Sequence, residues 1–292
     1  MVNTSTIRFD EIEEQLSLAP NGRKDLFSDP VFVPLLETRL DRMLKEKKIL
    51  SLDVFDTLVL RDNSSELTRF FEIGGRMAKI VEAHTGNGVR QVDAFIARWL
   101  GTKATYRASR LVHGCREGSL SELHSTASKL LTGSDRLAEA FIEAELAYEV
   151  SRISPNPALV SYMERYRKVG GKVVLLTDMY MHAEQVSVLL EKLGVHPTAY
   201  DALISSADVK VSKASGKIFS LMEEEMNAGP DDFVHLGDSL RGDVSQPLRH
   251  RWQALHLPLS SFDISQRRLD HIKTQTTLTT RYSLSSDIAM PV

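Results

Sequence analysis

Carboxylate, hydroxyl and ammonium side chains recur in this sequence directly after apolar runs that are typical of buried strands. Asp53 follows the run 49–52, and Thr177 ends the run 172–177. Ligands of open α/β sheets bind at the carboxyl ends of the strands, so these side chains are expected to converge. A carboxylate placed there can attack phosphorus or carbon and form a covalent aspartyl intermediate. The candidates are Asp53, Asp56, Thr57, Thr177, Asp178, Lys213, Asp238, Ser239 and Asp243.

Together these groups predict phosphoryl chemistry assisted by a divalent cation. Carboxylates bind hard cations such as Mg²⁺, and a cation with Lys213 would neutralise phosphoryl oxygens. A hydroxyl and backbone amides would fix the orientation of those oxygens. For Asp53 alone, a strand-end aspartate that caps a loop is an equally good interpretation. Four such groups in order after successive strands favour a site.

The elements that must position these groups follow an alternating pattern. After the first strand at Ile49, strands are predicted at 172–177, 202–205, 233–236 and 253–257, and helices at 157–169, 182–193 and 216–226. Strands that alternate with helices at this spacing indicate βαβ units. The expected fold is an α/β, doubly wound, parallel (Rossmann-like) sheet.

A long helical block interrupts this pattern after the first strand. Residues 66–154 show helical periodicity and no convincing strand, which predicts a mainly helical cap over 62–154. The core then comprises 49–61 and 155–258. An N-terminal extension over 1–48 ends in a predicted lead-in helix at 34–48. Residues 259–292 lack clear periodicity and are expected to form a mobile tail or a peripheral helix.

Composition excludes several functional classes. The 292 residues carry a net charge of −3, which indicates no general affinity for nucleic acid or acidic membranes. No apolar run is long enough to span a membrane, and no signal peptide is visible at the N-terminus. A single cysteine, Cys115, is typical of a reducing compartment, so a cytoplasmic location is expected. Nothing in the sequence indicates an oligomeric state.

The order of the motifs resembles the haloacid dehalogenase superfamily of hydrolases, over roughly residues 49–257. The first family motif, Asp-x-Asp-x-Thr/Val, matches residues 53–57, which read Asp-Val-Phe-Asp-Thr. The second matches Thr177, the third Lys213, and the fourth the Gly-Asp-Ser at 237–239 with Asp243. The helical block lies where this family has its C1 cap, which closes over the site.

The resemblance implies a role for each matching residue. Asp53 would be the nucleophile, Thr177 would bind the transferring phosphoryl group, and Lys213 would stabilise the charge. Mg²⁺ would be held by Asp238, Asp243, Asp53 and the backbone carbonyl of Phe55. The substrate would be a phosphorylated small molecule, with Thr57, Arg61, Asp178 and Tyr180 as candidate contacts. For Tyr180, packing at a helix entry is an equally good interpretation.

One position departs from the family pattern. Phosphatases of the family carry a second aspartate two residues after the nucleophile as general acid and base, and here that residue is Phe55. Asp56 is a candidate replacement, although a shift of one residue normally turns a side chain to the other face. Three interpretations stay open: a Mg²⁺-dependent phosphatase, a metal-independent 2-haloacid dehalogenase, and a binding or regulatory module that does not hydrolyse its ligand.

Overall fold

Five parallel strands form the central sheet in a computed structural model that describes residues 10–291. The seven strands of the described chain are β1 Ile49–Asp53, β2 Val59–Arg61, β3 Ile153–Pro155, β4 Lys172–Thr177, β5 Ala202–Ser205, β6 Phe233–Gly237 and β7 Gln253–His256. The sheet has the order β5-β4-β1-β6-β7, with every neighbouring pair parallel. The predicted α/β fold is confirmed.

Helices cover both faces of this sheet. They are α1 Glu11–Ser17, α2 Phe32–Leu44, α3 Glu66–Thr85, α4 Gln91–Ala108, α5 Leu120–Thr132, α6 Ala138–Val150, α7 Pro157–Lys168, α8 Ala183–Lys192, α9 Ser206–Val209, α10 Lys217–Met226, α11 Gln246–Arg249 and α12 Ser261–Tyr282. Successive residues of a strand face opposite sides. On β4, Val173 and Leu175 join the core cluster that includes α7 and α8, whereas Val174 and Leu176 join the cluster that includes α10. The sheet is therefore doubly wound.

The centre of the sheet sets the position of the first candidate residue. All five residues of β1 are buried, and Asp53 at its end lies opposite Leu176 of β4. One residue earlier, Leu52 pairs with Leu236 of β6. Asp53 is therefore brought next to the ends of β4 and β6, where the second and fourth motifs begin.

The cap consists of the four helices α3 to α6, as the periodicity predicted. A two-stranded antiparallel sheet of β2 and β3 lies where the chain enters and leaves it. The expectation of no strand within residues 66–154 is therefore wrong at its end, where β3 begins at Ile153. These three-residue strands are too short to show a period in the sequence. The division of the chain into core and cap segments stays a prediction.

The two terminal segments differ from expectation in instructive ways. The lead-in helix α2 ends at Leu44 rather than at Lys48. The reason is that Lys48 already pairs with the chain segments beside it, just before the first residue of the central strand β1. The amide of Lys48 donates to the carbonyl of Asp232, and the carbonyl of Lys48 accepts from the amide of Lys172. The part of the N-terminal extension before residue 10 lies outside the described residues.

At the other end of the chain, the peripheral-helix alternative is correct. α12 is 22 residues long and begins with a capping box in which Ser260 and Asp263 bond reciprocally to each other's backbone amides. α12 packs along α3 of the cap: the amide of Ser65 donates to Asp270 at 2.8 Å, and the hydroxyls of Thr68 and Thr274 are 2.6 Å apart. Within residues 10–291, no helix combines the length and the apolar character that crossing a membrane requires.

Candidate functional site

A buried lysine joins two carboxylates at the carboxyl edge of the sheet. The Lys213 ammonium donates to Asp53 Oδ1 at 2.5 Å and lies 2.6 Å from Asp243 Oδ1. Lys213 is only 4% exposed. Burial would lower the pKa of this ammonium, but Asp243 and Asp53 together raise it far above its ordinary value. Lys213 is therefore a fixed positive charge on one side of the predicted nucleophile.

The turn that carries Lys213 is held by a residue predicted to contact substrate. Both carboxylate oxygens of Asp178 accept from the Lys213 backbone amide, at 2.8 and 2.9 Å, and one also accepts from Ala214 at 3.4 Å. Asp178 borders the site cavity, yet its carboxylate is committed to this turn. The geometry gives Asp178 a structural role in place of the predicted substrate contact.

Asp243 is held just as firmly. Its Oδ1 lies 3.1 Å from His235 Nε2, and its Oδ2 accepts from the Ser239 amide at 2.9 Å. Burial would raise the pKa of Asp243, but Lys213 and His235 lower it well below its ordinary value. Close packing with Gly237 requires that residue to lack a side chain, since a Cβ there would lie 2.2 Å from Asp243 Cγ.

Two buried oxygens of residues that line the site cavity have no hydrogen-bond partner among the described residues. They are Asp53 Oδ2 and Thr177 Oγ1, in residues that are 5% and 1% exposed. Burial raises the pKa of Asp53, Lys213 lowers it and Asp243 raises it again, to about 6 in total. Because both residues line the same cavity as Asp238 and Lys213, their unpaired oxygens indicate a place for a ligand there.

The carboxylates suit a cation at this place. Asp53, Asp238 and Asp243 each offer an oxygen, and these oxygens lie within 4.8 Å of one another. Burial and then the charge of Asp53 raise the pKa of Asp238 well above its ordinary value. A bound cation would relieve that repulsion. Asp243 Oδ1 already contacts Lys213 and His235, whereas its Oδ2 accepts one hydrogen bond and keeps lone pairs for a cation, so all three carboxylates can contribute a ligand atom.

Asp56, the candidate replacement for the missing acid, lies in a cluster of arginines. Arg267 of α12 binds its two oxygens at 2.7 and 3.1 Å, Arg61 approaches to 3.3 Å and Arg23 to 3.5 Å. Burial would raise the pKa of Asp56, but Arg267 and Arg61 hold it far below its usual range. A carboxylate held ionised in this way has no proton to donate, so the predicted acid role is not supported.

The remaining predicted substrate contacts are Arg61, Thr57 and Tyr180, and of these three only Arg61 borders the cavity. Arg61 lines the cavity, with its guanidinium carbon 4.6 Å from the centre of the Phe55 ring. The hydroxyl of Thr57 is buried and has no partner among residues 10–291. Tyr180 lies away from the cavity, because its hydroxyl accepts from the buried Arg98 of the cap at 3.1 Å. For Tyr180 the packing interpretation therefore fits better than substrate contact.

Sequence reasoning missed Arg23, Arg267 and Arg241. The first two are 33 and 211 residues away from Asp56 along the chain, and no local pattern links them to it. Arg241 follows the fourth motif and could have been found from that position. The site cavity has a volume of about 250 Å³ and is lined by Asp53, Phe55, Asp56, Arg61, Thr177, Asp178, Met179, Lys213, Ala214, Asp238, Ser239, Arg241, Gly242 and Asp243.

A larger cavity of about 370 Å³ lies at the opposite edge of the sheet, where β1 and β4 begin. It is lined by Lys47, Lys48 and Lys172, and none of its lining residues is a candidate from the four motifs. The Lys48 ammonium is 3.3 Å from Asp232, so part of this charge is already compensated. The grouping of the motif residues, rather than cavity size, identifies the functional site.

Comparisons with known proteins agree with this architecture. The 2-haloacid dehalogenase from Pseudomonas syringae pv. Tomato DC3000 is 14% identical, with a TM-score of 0.50 over 72% of this chain and 86% of that one. A HAD phosphatase from Thermococcus onnurineus is 20% identical, with a TM-score of 0.46 over 72% of this chain and 85% of that chain. The likeness to the dehalogenase, at 14% identity, shows the fold alone.

The sequence itself matches one family. No curated protein matches the chain. The model of the haloacid dehalogenase-like hydrolase family matches residues 47–245, a segment that includes all four motifs and the cap. That match covers more than half of the 292 residues. The chain therefore belongs to the haloacid dehalogenase-like hydrolases.

Proposed function

We propose that this hydrolase is a Mg²⁺-dependent phosphatase that acts on a phosphorylated small molecule through an aspartyl-phosphate on Asp53. One observation carries the proposal: Asp53 Oδ2 and Thr177 Oγ1 are buried without partners beside Asp238, while Lys213 holds the other oxygen of Asp53. A phosphoryl group placed between them would meet a nucleophile, a hydroxyl donor and a fixed cation.

The residues of the site each have a task in this reaction. Asp53 Oδ2 attacks phosphorus, a bond from this oxygen to phosphorus forms, and the bond from phosphorus to the substrate oxygen breaks. Lys213 stays charged next to Asp53 and balances the negative charge of the transferring group. Thr177 donates a hydrogen bond from its hydroxyl to a phosphoryl oxygen. The leaving substrate oxygen takes a proton from solvent water. Water then attacks the same phosphorus and loses a proton to solvent, and the bond from phosphorus to Asp53 Oδ2 breaks, which releases inorganic phosphate and restores the Asp53 carboxylate.

The acidic residues supply the place for the cation. Asp53, Asp238 and Asp243 would hold Mg²⁺ together with the backbone carbonyl of Phe55, and Asp243 also fixes the position of Lys213. When bound, Mg²⁺ would neutralise phosphoryl charge and let two neighbouring carboxylates stay ionised. Arg61 and the exposed Arg241 line the rim of the cavity and are proposed contacts for the anionic substrate.

Removal of the cation should separate the three interpretations. Phosphate release from a panel of phosphorylated metabolites is expected with Mg²⁺ and not with EDTA. Mg²⁺ at 100 times its Kd should also raise the free energy of unfolding by about 2.7 kcal/mol, measured by thermal denaturation, because it binds only the folded state. Turnover of 2-haloacids in EDTA, without phosphate release, would instead establish a dehalogenase.

A binding or regulatory module is the second candidate, and the Asp56 cluster favours it. Since both oxygens of Asp56 accept from guanidinium groups, neither Asp56 nor Phe55 supplies the proton that a poor leaving group needs. Calorimetry would measure Mg²⁺-dependent binding of a phosphorylated ligand, and a phosphate assay on the same sample would measure hydrolysis. Binding without any release of phosphate would identify this function.

The substitution Phe55→Asp tests whether the missing acid limits the rate. General acid catalysis contributes about 10²–10⁴-fold, so phosphate release from an alkyl phosphate should rise toward the lower end of that range. The lower end is expected because Arg61, now over the Phe55 ring, would lower the pKa of the new carboxyl. Phe55→Asn is the matched control, since it has the same shape and no acidic proton. Equal rates for both folded variants would show that the acid is not what limits turnover.

A further inference from the structure

We propose that Arg267 of α12 and Arg23 of the N-terminal segment are positioning residues, which fix the loop after the nucleophile through Asp56. Both arginines lie outside the segment 47–245 that matches the family, so the family assignment gives them no role. The kinetic consequence rests on the proposed function of Asp53. The structural consequence is that the N-terminal segment and α12 hold this loop rigid, and it does not depend on the proposed function of Asp53.

The backbone of Asp56 needs such support. Its φ angle is 61°, in the left-handed region that side-chain-bearing residues rarely adopt. Arg267 binds the carboxylate through two hydrogen bonds of 2.7 and 3.1 Å. Arg23 donates to the backbone carbonyl of the same residue and lies 3.5 Å from Oδ1. Backbone and side chain of Asp56 are thus held at once, in a site where Asp56 is 5% exposed.

The loop transmits this restraint to the nucleophile. The Leu58 amide donates to the carbonyl of Asp53 at 3.3 Å, and the Val59 amide donates to the carbonyl of Val54 at 2.9 Å. Asp56 is at the tip of the turn that these two bonds close. A movement of Asp56 would therefore shift the backbone that carries Asp53, and displacements of about 1 Å can lower a rate 10²-fold.

Arg23 is itself anchored to the segment that carries Arg267. The Arg23 amide donates to Asp263 Oδ2 at 3.1 Å, and the Arg23 guanidinium donates to the carbonyl of Leu257 at 2.5 Å. Asp263 lies one helical turn before Arg267 on α12. Gly22 allows this approach, because a Cβ there would lie 2.6 Å from Asp263 Oδ1 and its φ is 95°. The N-terminal segment and α12 form one unit against the loop.

A double-mutant cycle on kcat tests the proposal in the full chain. Arg267→Met and Asp56→Asn are each expected to lower kcat for phosphate release about tenfold or more, with KM changed less than about twofold. The double variant should be no slower than the slower single variant, because both changes remove one interaction. Arg267→Lys should recover part of the rate. Arg268→Met is the matched control, since Arg268 is exposed and, within residues 10–291, donates only to the carbonyl of Pro291.

Multiplicative losses in the cycle, or a rise in KM alone, would overturn the proposal. Amide hydrogen exchange of residues 54–59 gives a second readout that needs no activity. Exchange there should be faster in Arg267→Met and Arg267→Lys than in wild type or Arg268→Met, with the exchange of β6 unchanged. Unchanged exchange in residues 54–59 would refute the positioning role even if the chain releases phosphate. Faster exchange in a chain that releases no phosphate would support the positioning role and count against the phosphatase.

Discussion

Asp53→Asn is expected to reduce phosphate release by about 10⁴-fold or more, the scale seen when a covalent nucleophile is removed. The amide keeps the shape of the side chain and cannot form the aspartyl-phosphate. Fold stability without added metal should not fall, because the substitution removes the repulsion between Asp53 and Asp238, and Lys213 keeps its contact with Asp243. The rate is measured with Mg²⁺ over a panel of phosphate esters, and stability by thermal denaturation in EDTA.

A matched control for this variant is Asp62→Asn, which neutralises a carboxylate near the cap entrance. Among the described residues, that carboxylate pairs only with Arg152 and the Ser64 amide. That control should keep wild-type rates. Phosphate release by Asp53→Asn at more than about a hundredth of the wild-type rate would exclude Asp53 as the covalent nucleophile, since residues that act through binding alone cost less.

Lys213→Met is expected to damage both catalysis and stability. The substitution leaves Asp53 and Asp243 buried without their shared cation, and breaking a buried pair in this way costs about 3–5 kcal/mol of folding free energy. The rate should fall by about 10²–10³-fold, as when one preorganised electrostatic donor is lost. Denaturant unfolding and phosphate release measure the two effects. Lys217→Met, on an exposed residue of α10, is the matched control.

The stability loss of Lys213→Met should depend on pH in a defined direction. In wild type the lowered pKa of Asp243 stabilises the fold at every pH above the pKa that this group has in the unfolded state. This stabilisation is lost only as the pH falls through the pKa of the folded state. In the variant the two carboxyls lose their cation, so the folded pKa of Asp53, already about 6 in wild type, rises further and that of Asp243 rises above its unfolded value. The variant is therefore destabilised further as the pH rises. In EDTA the gap to wild type should widen from pH 5 to pH 8, and a constant gap would show that Lys213 does not compensate these carboxylates.

The central sheet and the residues at its edge could be predicted because their signal is local. Each strand of the five-stranded sheet is a short apolar run, and the motif residues Asp53, Thr177 and Asp238 end or directly follow β1, β4 and β6. The strands predicted at 172–177 and 202–205 have those bounds in the structure, and those at 233–236 and 253–257 differ by one residue. Parallel pairing then makes convergence of Asp53, Thr177 and Asp238 a matter of topology.

What could not be predicted depends on contacts between distant parts of the chain. The sequence placed Asp56 one residue from the family's acid position, but its partners come from residues 23 and 267. Likewise, Tyr180 follows the second motif closely, yet Arg98 of the cap decides where its hydroxyl points. The helix α12 shows only a weak apolar stripe, because much of its inner face consists of polar side chains that bond to the cap and the loop. Because Arg267, His271 and Thr274 are buried on that face in place of apolar residues, the apolar pattern from which a helix is predicted is weak there.

The position of α12 also bears on whether residues 47–245, the segment that matches the family model, could fold and act without the rest of the chain. A chain cut to residues 47–245 would retain all four motifs and the entire cap. It would lack two of the three cations around Asp56, and the partners of Ser65 and Thr68 at the start of α3. A protein that contains residues 47–245 alone would therefore keep the proposed catalytic groups and lose the two arginines that hold the loop after Asp53. We infer that the unit able to work on its own runs from the N-terminal segment through α12, since both segments hold the loop that follows Asp53.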